Sequence, residues 1–237
     1  KRNNTCVHIH VAEDKCDVLE CEENYQCNVI ERLSRFNILK KETILAHCIH
    51  LSPNNFSKIH TTKSWLVHNP RSNMNNNVGY APIELFGNRA ALGTDGFPAD
   101  MFEEARTGFF KSKESSQKSE ARSQKSQISN PKSQIPLTSD LLSNGNKLVS
   151  EIFSEKFGMF EKNSVADFVV LNYDAPTPMT KENLPYHFLF GMSSAYVESA
   201  MCNGKFIMWN RELIGVDVEA ISAKAAKIAK RLWKKME

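Results

Sequence analysis

Four side chains in the first hundred residues, His10, Glu13, His47 and Asp95, are of the types that together manage water and protons. Imidazole nitrogens and carboxylate oxygens on a rigid rim suit Zn²⁺ or Fe²⁺. A metal ion with an open position lowers the pKa of bound water to about 7, so hydroxide is available at neutral pH. Glu13 lies three residues beyond His10. A glutamate there can reach a substrate without ligating the metal and move a proton to the leaving group. Asp95 is a candidate both to ligate and to accept the proton of the water. Six of the seven histidines (His8, His10, His47, His50, His60, His68) fall within the first 68 residues. Taken singly, each is more often a hydrogen-bonded structural group; their order along the chain is what points to chemistry.

Such groups act together only if the backbone gathers them. Cys6 to Ala12 reads as a strand, and Tyr25 to Leu39 places Val29, Ile30, Leu33 and Phe36 at helical spacing. Thr43 to Ala46 is a second strand, and Ser52-Pro53 opens a short helix with proline at its favoured first position. Trp65 to Val67 is a third strand, Ala90 to Gly93 a fourth, and a helical run covers Met101 to Phe110. Strand and helix in alternation mean parallel βα units, an α/β class of fold. The strands run into His10, His47, His68 and Thr94-Asp95-Gly96 in turn. The carboxyl ends of parallel strands face one side, the side that holds the active site in βα barrels.

Between 111 and 135 the pattern breaks: 17 of 25 residues are Ser, Lys or Gln, and Ser116-Gln117-Lys118-Ser119 recurs as Ser123-Gln124-Lys125-Ser126. Such a stretch buries too little apolar area to offset ordering entropy, which predicts a disordered linker. Further on, Leu141 to Phe157 reads as helix and Ala166 to Tyr173 as strand. Asn203-Gly204 between Tyr196–Cys202 and Lys205–Trp209 signals a hairpin with a type I′ turn. Asp217 caps a final helix whose stripe of Ile221, Ala225, Ile228 and Leu232 is read as a packing face. The expected organisation is a run of βα units at 1–110, a linker at 111–138, a helical segment at 139–163, further strands at 164–212 and a terminal helix at 213–237.

Composition excludes several classes. The chain has 237 residues, 41% of them apolar, and a net charge of +3. Mean hydropathy is −0.42, and no apolar run approaches the ~20 residues needed to cross a bilayer, so no membrane partner is expected. Thirty basic and 27 acidic residues are too balanced to imply nucleic-acid binding. The six cysteines show no CxxC pairs; Cys16, Cys21 and Cys27 lack chelating spacing, and all six read as reduced thiols in a cytoplasmic protein. The chain begins at Lys1 and its first methionine is Met74, which reads as a sequence continuing upstream.

Four ordered motifs carry a resemblance: His8-Ile9-His10-Val11-Ala12-Glu13, Ala46-His47-Cys48-Ile49-His50-Leu51, His68-Asn69-Pro70-Arg71-Ser72-Asn73-Met74-Asn75-Asn76 and Leu92-Gly93-Thr94-Asp95-Gly96. On these the chain resembles the metal-dependent amidohydrolase superfamily, in its cytosine-deaminase and triazine-chlorohydrolase branch. Residues 73–82, 99–104 and 167–173, with Asn183-Leu184-Pro185 and Leu189-Phe190-Gly191, are similar to its SsnA-type aminohydrolases. The resemblance implies strands 5–8 of a (β/α)8 TIM barrel, the C-terminal strands of a small β-sandwich and a terminal helix. It implies a divalent metal, Zn or alternatively Fe, held by His10 and Asp95 once the family's first-strand ligands are supplied. Glu13 would shuttle the proton, His47 would hydrogen-bond the attacking water or polarise the substrate, and Asp95 would also be general base. His68 and Asn73 would line the substrate pocket, while His50 would be structural.

The implied reaction is hydrolysis of a non-peptide carbon–nitrogen bond in a small heterocycle, a deamination, with hydrolytic dechlorination as the alternative. An inactive remnant serving binding or assembly is the reading from another class. The family's first-strand His-x-His pair has no counterpart among these residues, and a whole barrel takes about 250 residues. A half barrel leaves parallel sheet edges unpaired. The chain is therefore expected either to be poorly soluble or to associate with a second copy or with the N-terminal part it lacks.

Overall fold

Four short apolar runs build one parallel sheet: β1 (His8–Val11), β2 (Ile44–His47), β3 (Trp65–His68) and β4 (Ala90–Leu92), paired in that order. The computed structural model describes residues 6–120 and 134–236. The chain divides into two units, Lys1–Phe157 with Ala175–Ser194 and Gly158–Asp174 with Ala195–Glu237.

In the first unit, α1 (Lys15–Tyr25) and α2 (Val29–Arg35) join β1 to β2, α3 (Pro53–Thr62) joins β2 to β3, and α4 (Pro70–Asn75) follows β3. Beyond β4 come α5 (Met101–Glu120) and α6 (Gln134–Phe153). The alternation of strand and helix is as expected; the helix expected over 25–39 is α2, shorter at Val29–Arg35, and a separate α1 precedes it. The chain turns at Gln26, in the left-handed region at φ 51°, so the helix ends there and a second starts at the Asn28 cap. Helix α1 escapes a periodicity search because it is polar nearly all round, with only Cys21 buried. It is held at its start by an Asp14–Asp17 capping box.

Phe86, Ile30, Leu45, Ile59 and Leu66 are fully buried in the core. Each such aliphatic side chain contributes about 1.5–3 kcal/mol on leaving water. Helix α6 packs on β4, and Asn144 Nδ2 donates to the Ala90 carbonyl at 2.9 Å. That carbonyl is on the side of β4 away from β3, so α6 meets part of an edge expected to be bare. The linker expected over 111–138 is helical at both ends, because α5 continues to Glu120 and α6 begins at Gln134. Lys and Gln have good helix propensity, and extending an anchored helix avoids the cost of nucleation. The rest of that expected linker, 121–133, lies outside the described residues. A short helical turn, α7 (Leu184–Tyr186), runs into His187–Gly191, where Arg106 donates to the Leu189 and Met192 carbonyls.

The second unit is an antiparallel sheet of β5 (Phe168–Leu171), β6 (Val197–Cys202), β7 (Lys205–Trp209) and β8 (Glu212–Leu213). Asn203 and Gly204 both have positive φ, 47° and 75°, as a type I′ turn requires. Helix α8 (Val218–Trp233) starts on Asp217, whose Oδ1 accepts from the Ala220 N–H at 2.9 Å. Its stripe was expected to pack, yet Ile221, Ala225, Ile228 and Leu232 are all exposed. No helix among the described residues is long and apolar enough to cross a membrane.

Candidate active site

In a parallel ladder, paired residues share a face and neighbours alternate. His10 pairs with Ala46, and Ala46 with Val67; the next row pairs Val11 with His47, and His68 with Leu92. Val11 and Leu92 are buried in the core beneath the helices. Alternation alone would therefore send both His47 and His68 away from His10. His68 obeys: it is 1% exposed, with its ring edge-on to Tyr80 and Phe86. His47 does not, because its φ of 68° and that of Cys48, 52°, leave the strand conformation. The imidazole is turned onto His10, with the ring centroids 4.7 Å apart. Left-handed conformations at non-glycine residues cost about 1–3 kcal/mol and cluster at functional sites. Ala12, between His10 and Glu13, and Asp95 are two more, at φ 48° and 50°. The Ala12 carbonyl accepts from both Ile49 and His50 N–H groups at 3.1 Å, tying the β1 exit to the β2 exit.

The result is a tight cluster. His10 Nδ1 lies 3.7 Å from Glu13 Oε2, and His10 Nε2 lies 3.9 Å from Asp95 Oδ1. His47 Nε2 is 3.5 Å from Glu13 Oε2 and 3.7 Å from Asp95 Oδ2. The His10 side chain is 57% exposed, both carboxylates are 22% exposed, and His47 is fully buried. Facing nitrogen and oxygen atoms 3.9 Å apart fit a divalent ion between His10 and Asp95, since two bonds of about 2.1 Å span that gap. Potential ligand atoms of His10, Glu13 and His47 also lie within 4.8 Å of one another.

What holds the cluster is one short segment. Ser72 Oγ donates to Asp95 Oδ2 at 2.6 Å, Asn76 Nδ2 donates to Glu13 Oε1 at 3.1 Å, and Asn73 Oδ1 lies 2.8 Å from His47 Nδ1. Asn69 Nδ2 sits 3.4 Å from His47 Nε2. The Ser72 hydroxyl, followed by the charges of His47 and His10, holds the Asp95 carboxyl below its ordinary value despite some desolvation. Reading the sequence put His10, Glu13, His47 and Asp95 together but not Asn69, Ser72 and Asn76. The run of short amide side chains from Asn69 to Asn77 was the available signal.

Two residues expected to line a substrate pocket lie elsewhere. Asn73 is 2% exposed and meets His47 from behind. His68 is outside the cluster, and burial, followed by the nearby His47 charge, pushes its pKa down to about 3. The unfolded chain takes up that proton near pH 6.5, so His68 contributes stability above about 6.5 that fades as the pH falls towards about 3. Denaturant titrations of His68→Leu are expected to show a flatter loss of stability over that acid range; an unchanged slope would contradict this. His50, expected to be structural, donates Nε2–H to the Val78 carbonyl at 2.7 Å.

Gly93 is fixed by crowding. A Cβ there would lie 2.5 Å from both Asn69 Oδ1 and Val67 Cγ1. Gly93→Ala is expected to cost about 1–3 kcal/mol by urea unfolding, as overpacking does. It should also push Asn69 off His47; full stability in that variant would refute the packing argument.

Against known proteins, the amidohydrolase family profile matches residues 1–207. Curated 5-methylthioadenosine/S-adenosylhomocysteine deaminases of Thermoanaerobacter pseudethanolicus and Caldanaerobacter subterraneus subsp. tengcongensis are 30% identical over 241 and 240 aligned positions. Each alignment takes in 98% of this chain and 53% or 52% of the relative. A solved adenosine deaminase from Xanthomonas campestris with bound zinc superposes with a TM-score of 0.80 at 22% identity, covering 97% of this chain and 51% of that one. Atrazine chlorohydrolase TrzN from Arthrobacter aurescens TC1, complexed with zinc, gives 0.71 at 16% identity, covering 94% and 48%. These likenesses show a shared fold, and the chain spans about half the length of the curated relatives it matches.

Proposed function

The chain belongs to the amidohydrolase family, and from that premise we propose that it carries the proton-transfer half of a metal-dependent hydrolase that deaminates a small heterocycle. Strands β1–β4 are read as strands 5–8 of a (β/α)8 barrel, and β5–β8 as part of the small β-sandwich. The observation that carries the proposal is the convergence of His10, Glu13, His47 and Asp95, with each facing pair within 4 Å.

His10 and Asp95 would hold the divalent ion, zinc first because the solved relatives carry it, with iron as the alternative since the same donors suit both. Bound there, the ion supplies Lewis-acid activation of water near neutral pH. The chain's own groups do the rest. Asp95, kept ionised by Ser72, takes a proton from the attacking water. Glu13, steered by Asn76, carries the other proton of that water to the ring nitrogen, and the proton on Asp95 passes to the departing amine. His47 hydrogen-bonds the water between the two carboxylates. The ring carbon gains the water's oxygen and its bond to nitrogen breaks, releasing ammonia. The names of the relatives make 5′-methylthioadenosine and S-adenosylhomocysteine the substrates to try first.

The test is zinc content and ammonia release by the purified chain. Zinc bound one to one and lost in His10→Ala, with ammonia formed from an aminated heterocycle, is the expected result. A chain that takes up no zinc and deaminates none of these compounds would overturn catalysis by this chain on its own. Chloride released from a triazine without ammonia would move it to dechlorination.

A further inference from the structure

His47 is the one member of the cluster whose ring is wholly buried, and both of its nitrogens meet side-chain amides. Nδ1 faces the Asn73 oxygen at 2.8 Å, and Nε2 faces the Asn69 amino group at 3.4 Å. The oxygen acceptor at 2.8 Å selects a single neutral form of the imidazole, and the amino group at 3.4 Å, itself longer than a good hydrogen bond, favours the same form weakly. We propose that Asn73, assisted by Asn69, is a positioning residue that holds His47 protonated on Nδ1, so that the lone pair of Nε2 is presented to the site.

The carboxylates compete with this arrangement. Glu13 Oε2 and Asp95 Oδ2 lie 3.5 and 3.7 Å from Nε2 and would favour a proton there. Both distances are beyond good hydrogen-bond length, and both groups are partly in water, which weakens their pull. The contact to Asn73 is short and sealed from solvent. Moving the proton to Nε2 would leave two acceptors 2.8 Å apart in the interior, the penalty of an unmade buried hydrogen bond. That penalty biases the two forms by about tenfold to a hundredfold. The opposite setting of the Asn73 amide, with its amino group towards Nδ1, requires the proton on Nε2 and is the competing state. Second-layer groups commonly fix histidine tautomers in this way.

The consequence for catalysis rests on the hydrolase reading above. With a lone pair at Nε2, His47 accepts a hydrogen bond from water, and it cannot polarise a substrate by donating one. The tautomer itself does not depend on that reading.

The experiment is a long-range proton–nitrogen correlation spectrum of the nitrogen-15-labelled full chain, without metal or substrate, at mildly alkaline pH. Signals of His47 are assigned by their loss in His47→Gln. His50 and His60 serve as internal standards, since each faces a backbone carbonyl through Nε2 and must carry its proton there. The expected result is the reverse pattern at His47, a protonated-type shift at Nδ1 and an unprotonated-type shift at Nε2. In Asn73→Ala the His47 nitrogens should move towards averaged shifts, a change of about tenfold in the tautomer ratio, while the standards stay in place. Asn69→Ala should cause a smaller change in the same direction. Loss of the His50 and His60 signals would mark an unfolded Asn73 variant, and the wild-type and Asn69→Ala spectra then decide. A proton on Nε2 in the wild type, or His47 shifts unmoved in a folded Asn73→Ala, overturns the proposal. Because no turnover is measured, that outcome is distinct from a failure to bind zinc or release ammonia.

Discussion

Glu13→Gln is expected to lower ammonia release by about 10²–10⁴-fold, the usual contribution of a positioned proton donor, while leaving zinc uptake intact. Glutamine is nearly the same size, and its amide oxygen can still accept from Asn76 Nδ2, which meets Glu13 Oε1 at 3.1 Å. What it cannot do is pick up a proton and pass it on. Glu13 is placed for that task by the left-handed turn at Ala12, which brings its Oε2 within 4 Å of both His10 and His47. Initial rates with metal analysis on the same samples make the check. Turnover in Glu13→Gln equal to wild type would remove Glu13 from the chemistry, and a loss of zinc alongside rate would make it a ligand.

The largest effect on stability is expected at a residue that touches none of the reacting groups. Glu104 on α5 is fully buried and accepts from the Arg71 backbone N–H at 3.0 Å and from the Arg71 guanidinium. Burial raises the Glu104 pKa, and the bonds from Arg71 oppose that rise. Arg71 also donates to the Pro98 carbonyl at 2.7 Å, so this residue pins the start of α4 to the segment that follows Asp95. Truncating one partner of a buried pair leaves the other charge unpaired and typically costs 3–5 kcal/mol. Glu104→Ala should therefore lose about 3–5 kcal/mol in urea unfolding. Glu104→Gln should lose less, because its amide oxygen still accepts from Arg71. In Glu104→Ala, Ser72, Asn73 and Asn76 lose a common anchor, so the His47 signals should shift even where the chain stays folded. Undiminished stability in Glu104→Ala would contradict this account.

That coupling explains why parts of the site are legible in the sequence and others are not. His10, Glu13, His47 and Asp95 announce themselves because each lies at or just beyond the carboxyl end of a strand, and parallel strands deliver their ends to one rim. Strand-end position, however, says nothing about which face a side chain takes. His68 satisfies the same rule as His47 and still falls outside the cluster, because regular alternation carries it under Tyr80 and Phe86. Ser72 and Asn76 were hidden for the opposite reason. Short polar side chains on a helix end usually cap or solvate, and only the approach of α4 to three strand ends gives them partners.

The sequence by itself determined the α/β class, the order of the four parallel strands, the Asn203-Gly204 hairpin and the four side chains that cluster at their ends. These are set by local physics: hydrophobic period, turn chemistry, and residue types that few other contexts require. Tertiary structure alone decided which histidine enters the site, how each reacting group is held, and that α5 and α6 extend into the Ser/Lys/Gln segment. The reason is physical: φ at a single residue such as His47, at 68°, is bought by contacts distant in sequence, here with Asn69 and Asn73. No pattern within a strand encodes that balance.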